Sequence, residues 1–278
     1  MLVQSLDIHT KRASLRMTAL FVSWSLLGPA LGQGWAGPMP QGRQRHSRPF
    51  RVGRGLCSCP GPCKLPLPSK ARQRTISSAL PPGSRLLAAV QADLDADGTQ
   101  EWACLTRLGK RFDLVVLERK GRDFVVAGRN RVAAPWHLEI GDVDGDRAPE
   151  ILVGVRKKSP LDPVTANRSF FYDWDGRFIR PKWLGSRLAR RFSDLALADL
   201  DGDGRAELYA LERLERGKVR ISAYRWGGFG FRWMGRVIVP RGRWHLCTTG
   251  DMLFAAWGSR KLRITLDMAG GGVPRIAP

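Results

Sequence analysis

Between residues 8 and 92 the chain has no aspartate or glutamate, yet that stretch carries 13 lysines and arginines. A segment of one sign cannot neutralise itself, and its field favours anionic partners over basic ones. Of the formal net charge of +21, +12 lies before residue 93 and +9 from it onward. Histidine is scarce: there are four, and His9 falls close to the N-terminus. No G-x-S-x-G elbow and no phosphate-binding glycine loop occur, so two common catalytic chemistries lack their residues. Long apolar runs are missing as well. Residues 18–27 form an apolar run that is too short for a comfortable membrane span.

That short run has a place in an export signal. Lys11, Arg12 and Arg16 precede it, and Ala30-Leu-Gly32 supplies small residues before a cleavage point. Residues 1–32 therefore read as a signal peptide with Gln33 as the first mature residue. Gly34-Trp-Ala36 is a second candidate site, and an uncleaved anchor is the alternative. The protein is accordingly expected to be secreted, periplasmic or at the cell surface. Residues 33–84, rich in Arg, Pro, Gly and Ser, read as a mostly disordered basic linker. Its charge suits an anionic cell-surface polymer. Nucleic acid is not expected, because no recognition motif accompanies the charge. Cys57, Cys59 and Cys63 lie in this linker at a spacing that fits no common zinc knuckle, so disulfides are expected after export. With five cysteines in the chain, one is left over.

Against this basic background stand three acidic runs of one design. They are Asp93-Leu-Asp95-Ala-Asp97-Gly-Thr-Gln-Glu101, Asp142-Val-Asp144-Gly-Asp146-Arg-Ala-Pro-Glu150 and Asp199-Leu-Asp201-Gly-Asp203-Gly-Arg-Ala-Glu207. Each places carboxylates at positions 1, 3, 5 and 9. A tight loop turns alternate side chains inward, which gives oxygen-ligand spacing for a hard dication such as calcium. Gly98 and Gly204 sit at position 6, where a left-handed turn is cheapest for glycine. Arg147 stands there in the second run, which predicts a strained and weaker loop. An EF-hand is excluded. Position 12 is Cys104, Val153 or Ala210 rather than glutamate, and the flanking residues are strand-like rather than helical. Asx-type turns without metal are the plainer reading of any one loop.

The recurrence extends past the loops. A short apolar strand precedes each run and another follows it. A third ends in a glycine turn at Gly121, Gly176 or Gly228, and a fourth begins near Phe124, Phe178 or Phe231. Tyr172-x-Trp174-x-Gly176 and Tyr224-x-Trp226-x-Gly228 match closely. Four short strands per unit predict an all-β, propeller-like array of antiparallel blades over residues 85–278. The units are about 85–130, 131–185, 186–238 and 239–278. The last is signalled by Trp244-His245-Leu246, which repeats Trp136-His137-Leu138, and it is too short to hold an acidic loop. Cys104 and Cys247 fall on strands of the first and last units. In a closed ring they are candidates for a locking bridge, with buried thiols as the alternative. The tryptophans are expected to pack between blades.

These loops and units resemble the FG-GAP/VCBS repeat family, the integrin-alpha-like propeller blades with D-x-D-x-D-G-x-x-[DE] loops. The resemblance implies up to three calcium sites. Their ligands would be Asp93, Asp95, Asp97 and Glu101; Asp142, Asp144, Asp146 and Glu150; and Asp199, Asp201, Asp203 and Glu207. The expected function is that of an exported, non-catalytic calcium-binding module for adhesion, binding or assembly. Its protein or carbohydrate ligand is not identified by sequence. A polysaccharide-active hydrolase or lyase on the same scaffold is the alternative, since acidic loops can supply paired carboxylates.

Overall fold

A computed structural model describes residues 65–185 and 188–277. It contains four four-stranded antiparallel sheets, each paired in simple chain order. The first sheet holds β1 (Arg85–Ala92), β2 (Glu101–Leu108), β3 (Arg111–Lys120) and β4 (Asp123–Val132). The second holds β5 (Pro135–Gly141), β6 (Glu150–Ser159), β7 (Asp162–Trp174) and β8 (Ile179–Leu184). The third holds β9 (Phe192–Ala198), β10 (Glu207–Arg213), β11 (Val219–Trp226) and β12 (Phe231–Val239). The fourth holds β13 (His245–Thr249), β14 (Met252–Trp257), β15 (Arg260–Asp267) and β16 (Val273–Ile276). The all-β, propeller-like array expected from the repeat is present. Residues 1–64, which include the expected signal peptide and Cys57, Cys59 and Cys63, lie outside the described residues.

Successive side chains of a strand point to opposite sides, and the first three sheets are apolar on both faces. In the first sheet, Leu105, Leu114 and Val116 face Ile151, Val153 and Tyr172 of the second. The second sheet turns Leu152 and Phe171 toward Leu195, Leu208 and Tyr224 of the third. The third turns Tyr209, Ile221 and Ala223 toward Leu253, Ala255 and Ile264 of the fourth. Middle strands are thus sealed on both sides, so they read as continuous apolar runs rather than alternating ones. Tryptophans fill two of the seams: Trp174 is buried between the first and second sheets and Trp244 between the third and fourth, whereas Trp233 lies in the open. Trp174 needs a bare neighbour, since a Cβ on Gly128 would come within 2.5 Å of its ring. A backbone-to-side-chain hydrogen bond across blades adds direction to this packing. Leu246 N–H donates to Asp194 Oδ2 at 2.9 Å, tying β13 to β9.

The linker expectation fails from residue 65 onward. Lys70–Ala79 form a helix, α1, capped by Ser69, whose hydroxyl accepts from Arg72 N–H at 3.5 Å. The helix stops where Leu80, preceding Pro81, is extended. Ile76 and Leu80, one turn apart, press on Ala89, Trp102, Cys104, Val115 and Leu117. That is the face of the first sheet turned away from the second. Upstream, Pro66 C=O accepts from Ala89 N–H at 2.8 Å, so the segment before the helix is pinned as well. Two apolar side chains at helical spacing suffice here because the sheet supplies the rest of the core. Arg72, Arg74 and Ser78 remain exposed.

This helix also bears on the two alternatives for Cys104 and Cys247, and buried thiols are what the structure shows. In a closed ring the outer face of the first sheet would meet the fourth sheet. Here α1 covers it, and Cys104 is sealed beneath the helix with its thiol 4.0 Å from the Trp102 carbonyl. Burial pushes that thiol far above its ordinary range. Cys247 lies buried on β13 and is not joined to Cys104.

Candidate metal centres

The three acidic runs form the hairpin loops between the first two strands of the first, second and third sheets. In the fourth sheet the corresponding hairpin turns over Gly250 and Asp251 alone. One carboxylate oxygen from each of three residues gathers within 4.8 Å: Asp93, Asp95 and Glu101; Asp142, Asp144 and Asp146; Asp199, Asp201 and Asp203. These three acidic triads could each hold a metal ion, as calcium loops of FG-GAP repeats do. Of the remaining predicted ligands, Asp97 accepts from Thr99 N–H at 2.6 Å. Glu150 and Glu207 stand at the base of their loops and are fully enclosed.

The backbone explains the gathering. At position 6, the N–H of Gly98, Arg147 or Gly204 donates to the position-1 aspartate at 3.0, 2.8 and 2.9 Å. At position 7, the N–H of Thr99, Ala148 or Arg205 donates to the position-5 aspartate. At position 2, the N–H of Leu94, Val143 or Leu200 donates to the position-9 glutamate. Two residues per loop are left-handed rather than one: Ala96 and Gly98, Gly145 and Arg147, Gly202 and Gly204. Arg147 is strained as expected. Ala96 in the first loop carries the same kind of strain, and position 4 escaped notice in the sequence because glycine occupies it twice.

The loops differ in how their charge is met. In the second and third, Gly145 N–H and Gly202 N–H donate to the position-1 Oδ1 at 2.6 and 2.8 Å. No such bond forms in the first loop, so Asp93 Oδ1 is buried without a hydrogen-bond partner among the described residues. Glu101, 2 % exposed, has its acid form favoured. Burial first, then the charges of Asp95, Asp97 and Asp93, pushes it up to about 7 against the pull of Leu94 N–H. Asp95 is raised by burial and by Asp97. An orphaned buried oxygen among crowded carboxylates matches the donor set of a hard dication. Here Asp93, Asp95 and Glu101 would hold the ion.

In the other two loops a side-chain cation already lies among the oxygens. Lys182 Nζ is 2.6 Å from Asp144 Oδ2 and 3.2 Å from Asp173 Oδ1, and it also donates to Glu150. Arg225 donates to Glu207 Oε1 at 2.7 Å and also to Asp201, with Asp203 Oδ2 3.6 Å away. Burial lowers the pKa of both bases, but their carboxylate partners outweigh it and hold them charged above their ordinary ranges. Sequence reading passed over both. The available signal was the unassigned middle residue of the Tyr-x-Trp turn, which is Asp173 in one copy and Arg225 in the other.

Neighbouring loops touch. Ala206 N–H donates to Asp142 C=O at 2.6 Å, and the Arg205 side chain lies against Gly145. Likewise Gly176, the turn glycine of the second sheet, approaches Asp95 Oδ2. The acidic loops therefore share one rim with the turns of the next blade. A separate cleft, lined by Lys110, Phe112, Arg131, Lys157, Phe170 and Tyr172 among others, has no carboxylate in its wall among the described residues.

His137 and His245 occupy equivalent strand positions at β5 and β13. His137 Nε2 meets Glu139 Oε2 at 3.0 Å and packs on Trp136, and neither histidine joins an acidic triad. No curated protein matches the chain. Residues 142–210 match the family model described as an FG-GAP-like repeat, a span running from the start of the second acidic loop to β10. The chain carries an FG-GAP-like repeat, and its remaining sheets repeat the same four-stranded plan on either side.

Proposed function

We propose that this protein is a non-catalytic, calcium-stabilised repeat module of the binding or adhesion type, working outside the cytoplasm. The observation that carries the reading is the shared loop geometry. One carboxylate oxygen from each member of a triad lies within 4.8 Å of the others, and the backbone ties them there. Glycoside hydrolysis needs two carboxyl groups roughly 5–9.5 Å apart that face a sugar from opposite sides. The loops supply the first arrangement, and the basic cleft has no acid to supply the second. The ion's role is structural: it would hold the first hairpin of a blade closed and offset carboxylate repulsion. The basic residues before residue 93 and the cationic cleft both suit an anionic surface polymer as partner.

Chelation tests this reading. With calcium sites of about 10⁻⁴–10⁻³ M, millimolar calcium adds about 0.5–1.5 kcal/mol per occupied site. EDTA should lower the melting temperature and calcium should restore it. A melting curve indifferent to both would remove calcium from the function.

A further inference from the structure

We infer that the three acidic loops are not three calcium sites: Lys182 and Arg225 stand in for the ion in the second and third, so the chain takes one dication, in the first. The inference rests on the calcium reading above and narrows it.

The argument is one of register. The three sheets are built alike, so the same strand positions surround each loop. One step beyond the pairs Trp102↔Leu117, Ile151↔Tyr172 and Leu208↔Tyr224, the third strand presents Glu118, Asp173 or Arg225 to the loop. On the fourth strand each sheet has a bulge at the equivalent place, and the extra residue is Ala127, Lys182 or Met234. A bulge re-aims the side chain it carries. The two positions therefore read Glu118 with Ala127, Asp173 with Lys182, and Arg225 with Met234. The second and third sheets each supply one base, from different strands. The first supplies none and adds an acid, whose acid form is favoured by burial and by Asp95 and Asp97.

What the bases touch matters as much as their presence. Lys182 bonds the position-3 and position-9 carboxylates of its loop, and Arg225 does the same in its own. These are oxygens an ion would need. A tethered ammonium or guanidinium at that point neutralises the cluster without loss of a free ion, and a dication would have to displace it against like charge. Among the described residues nothing occupies the corresponding place in the first loop, and none of them donates to the buried Asp93 Oδ1. The orphan atom and the missing base are separate observations, and both fall on the same loop.

Calcium titrated into the EDTA-treated, desalted full chain, followed by calorimetry, tests the inference. One ion per chain is expected. Asp95→Asn should weaken binding about tenfold or more. Asp144→Asn and Asp201→Asn should change it by no more than about twofold, being at independent loops. Two or three ions in the unaltered protein would overturn the inference while leaving the calcium reading intact. No ion at all would remove both. Lys182→Met and Arg225→Met should each add one ion, because vacating the loop restores an ion-binding set. A count that stays at one in folded variants would show that the bases do not take the ion's place. Where a variant does not fold, the contrast between the three asparagine substitutions decides.

Discussion

The first and third acidic loops have nearly the same backbone and opposite electrostatic solutions. Both draw aspartates inward with the same N–H donors, and both bury the glutamate at position 9. The third answers the resulting charge from within, with Arg225 reaching across from the neighbouring strand. The first leaves it unanswered. Loop geometry and charge neutralisation are therefore separable. A D-x-D-x-D-G run specifies a turn that converges its carboxylates, and the next strands decide what neutralises them.

The hardest blow to this contrast comes from removing the internal base. Arg225→Met leaves Glu207 and Asp201, 0 % and 3 % exposed, without their counter-charge. We expect a loss of about 3 kcal/mol in calcium-free buffer by urea denaturation, with part of it recovered by calcium. A loss under about 0.5 kcal/mol would place Arg225 among ordinary surface pairs. The equivalent Glu118→Gln in the first loop should not destabilise the calcium-free chain, since it removes a repelling charge.

Acidity sharpens the contrast from another side. Glu101, raised from about 4.5 to about 7, favours the folded state in its protonated form. In EDTA that contribution is complete below about pH 4.5 and is lost as pH rises through about 7. Folding stability should fall over this window by an amount on the order of 2 kcal/mol or less, read as a lower melting temperature. Calcium should flatten or reverse the slope, because it binds the carboxylate form. Glu101→Gln should abolish the pH effect of this loop; a slope unchanged by that substitution would assign it elsewhere.

Backbone strain has the smallest effect. Arg147→Gly and Ala96→Gly each place glycine at a left-handed position, with φ of 78° and 59° in the native chain. Each should stabilise by about 1 kcal/mol, set against the greater entropy glycine brings to the unfolded chain. The third loop, with glycine at both positions, offers no such gain. Equal responses from a control glycine in a strand would discredit the strain account.

Much of this was legible in the sequence. Asp93, Asp142 and Asp199 each open a run of alternating carboxylates between two apolar strands, and three copies in register identify the hairpin and the repeat together. Trp244-His245-Leu246 marked a fourth unit that has no acidic loop. The helix at Lys70–Ala79 was not legible, because only Ile76 among its ten residues is strongly apolar and buried. Its stability comes from a sheet face that no local pattern announces. Position 4 of the loops was equally hidden, since Ala96 shows no sign of its left-handed backbone until the carboxylates on either side are drawn inward.

Short apolar runs along the chain determined the strands, and the spacing of aspartates determined the turns, because both depend on residues a few positions apart. The occupant of each loop was decided only in three dimensions. Lys182 lies 38 residues from Asp144, and Arg225 lies 24 from Asp201. Strand register and a single bulged residue bring these charges together. Coulomb attraction acts through space, so a base remote in sequence can settle what a local acidic motif leaves open.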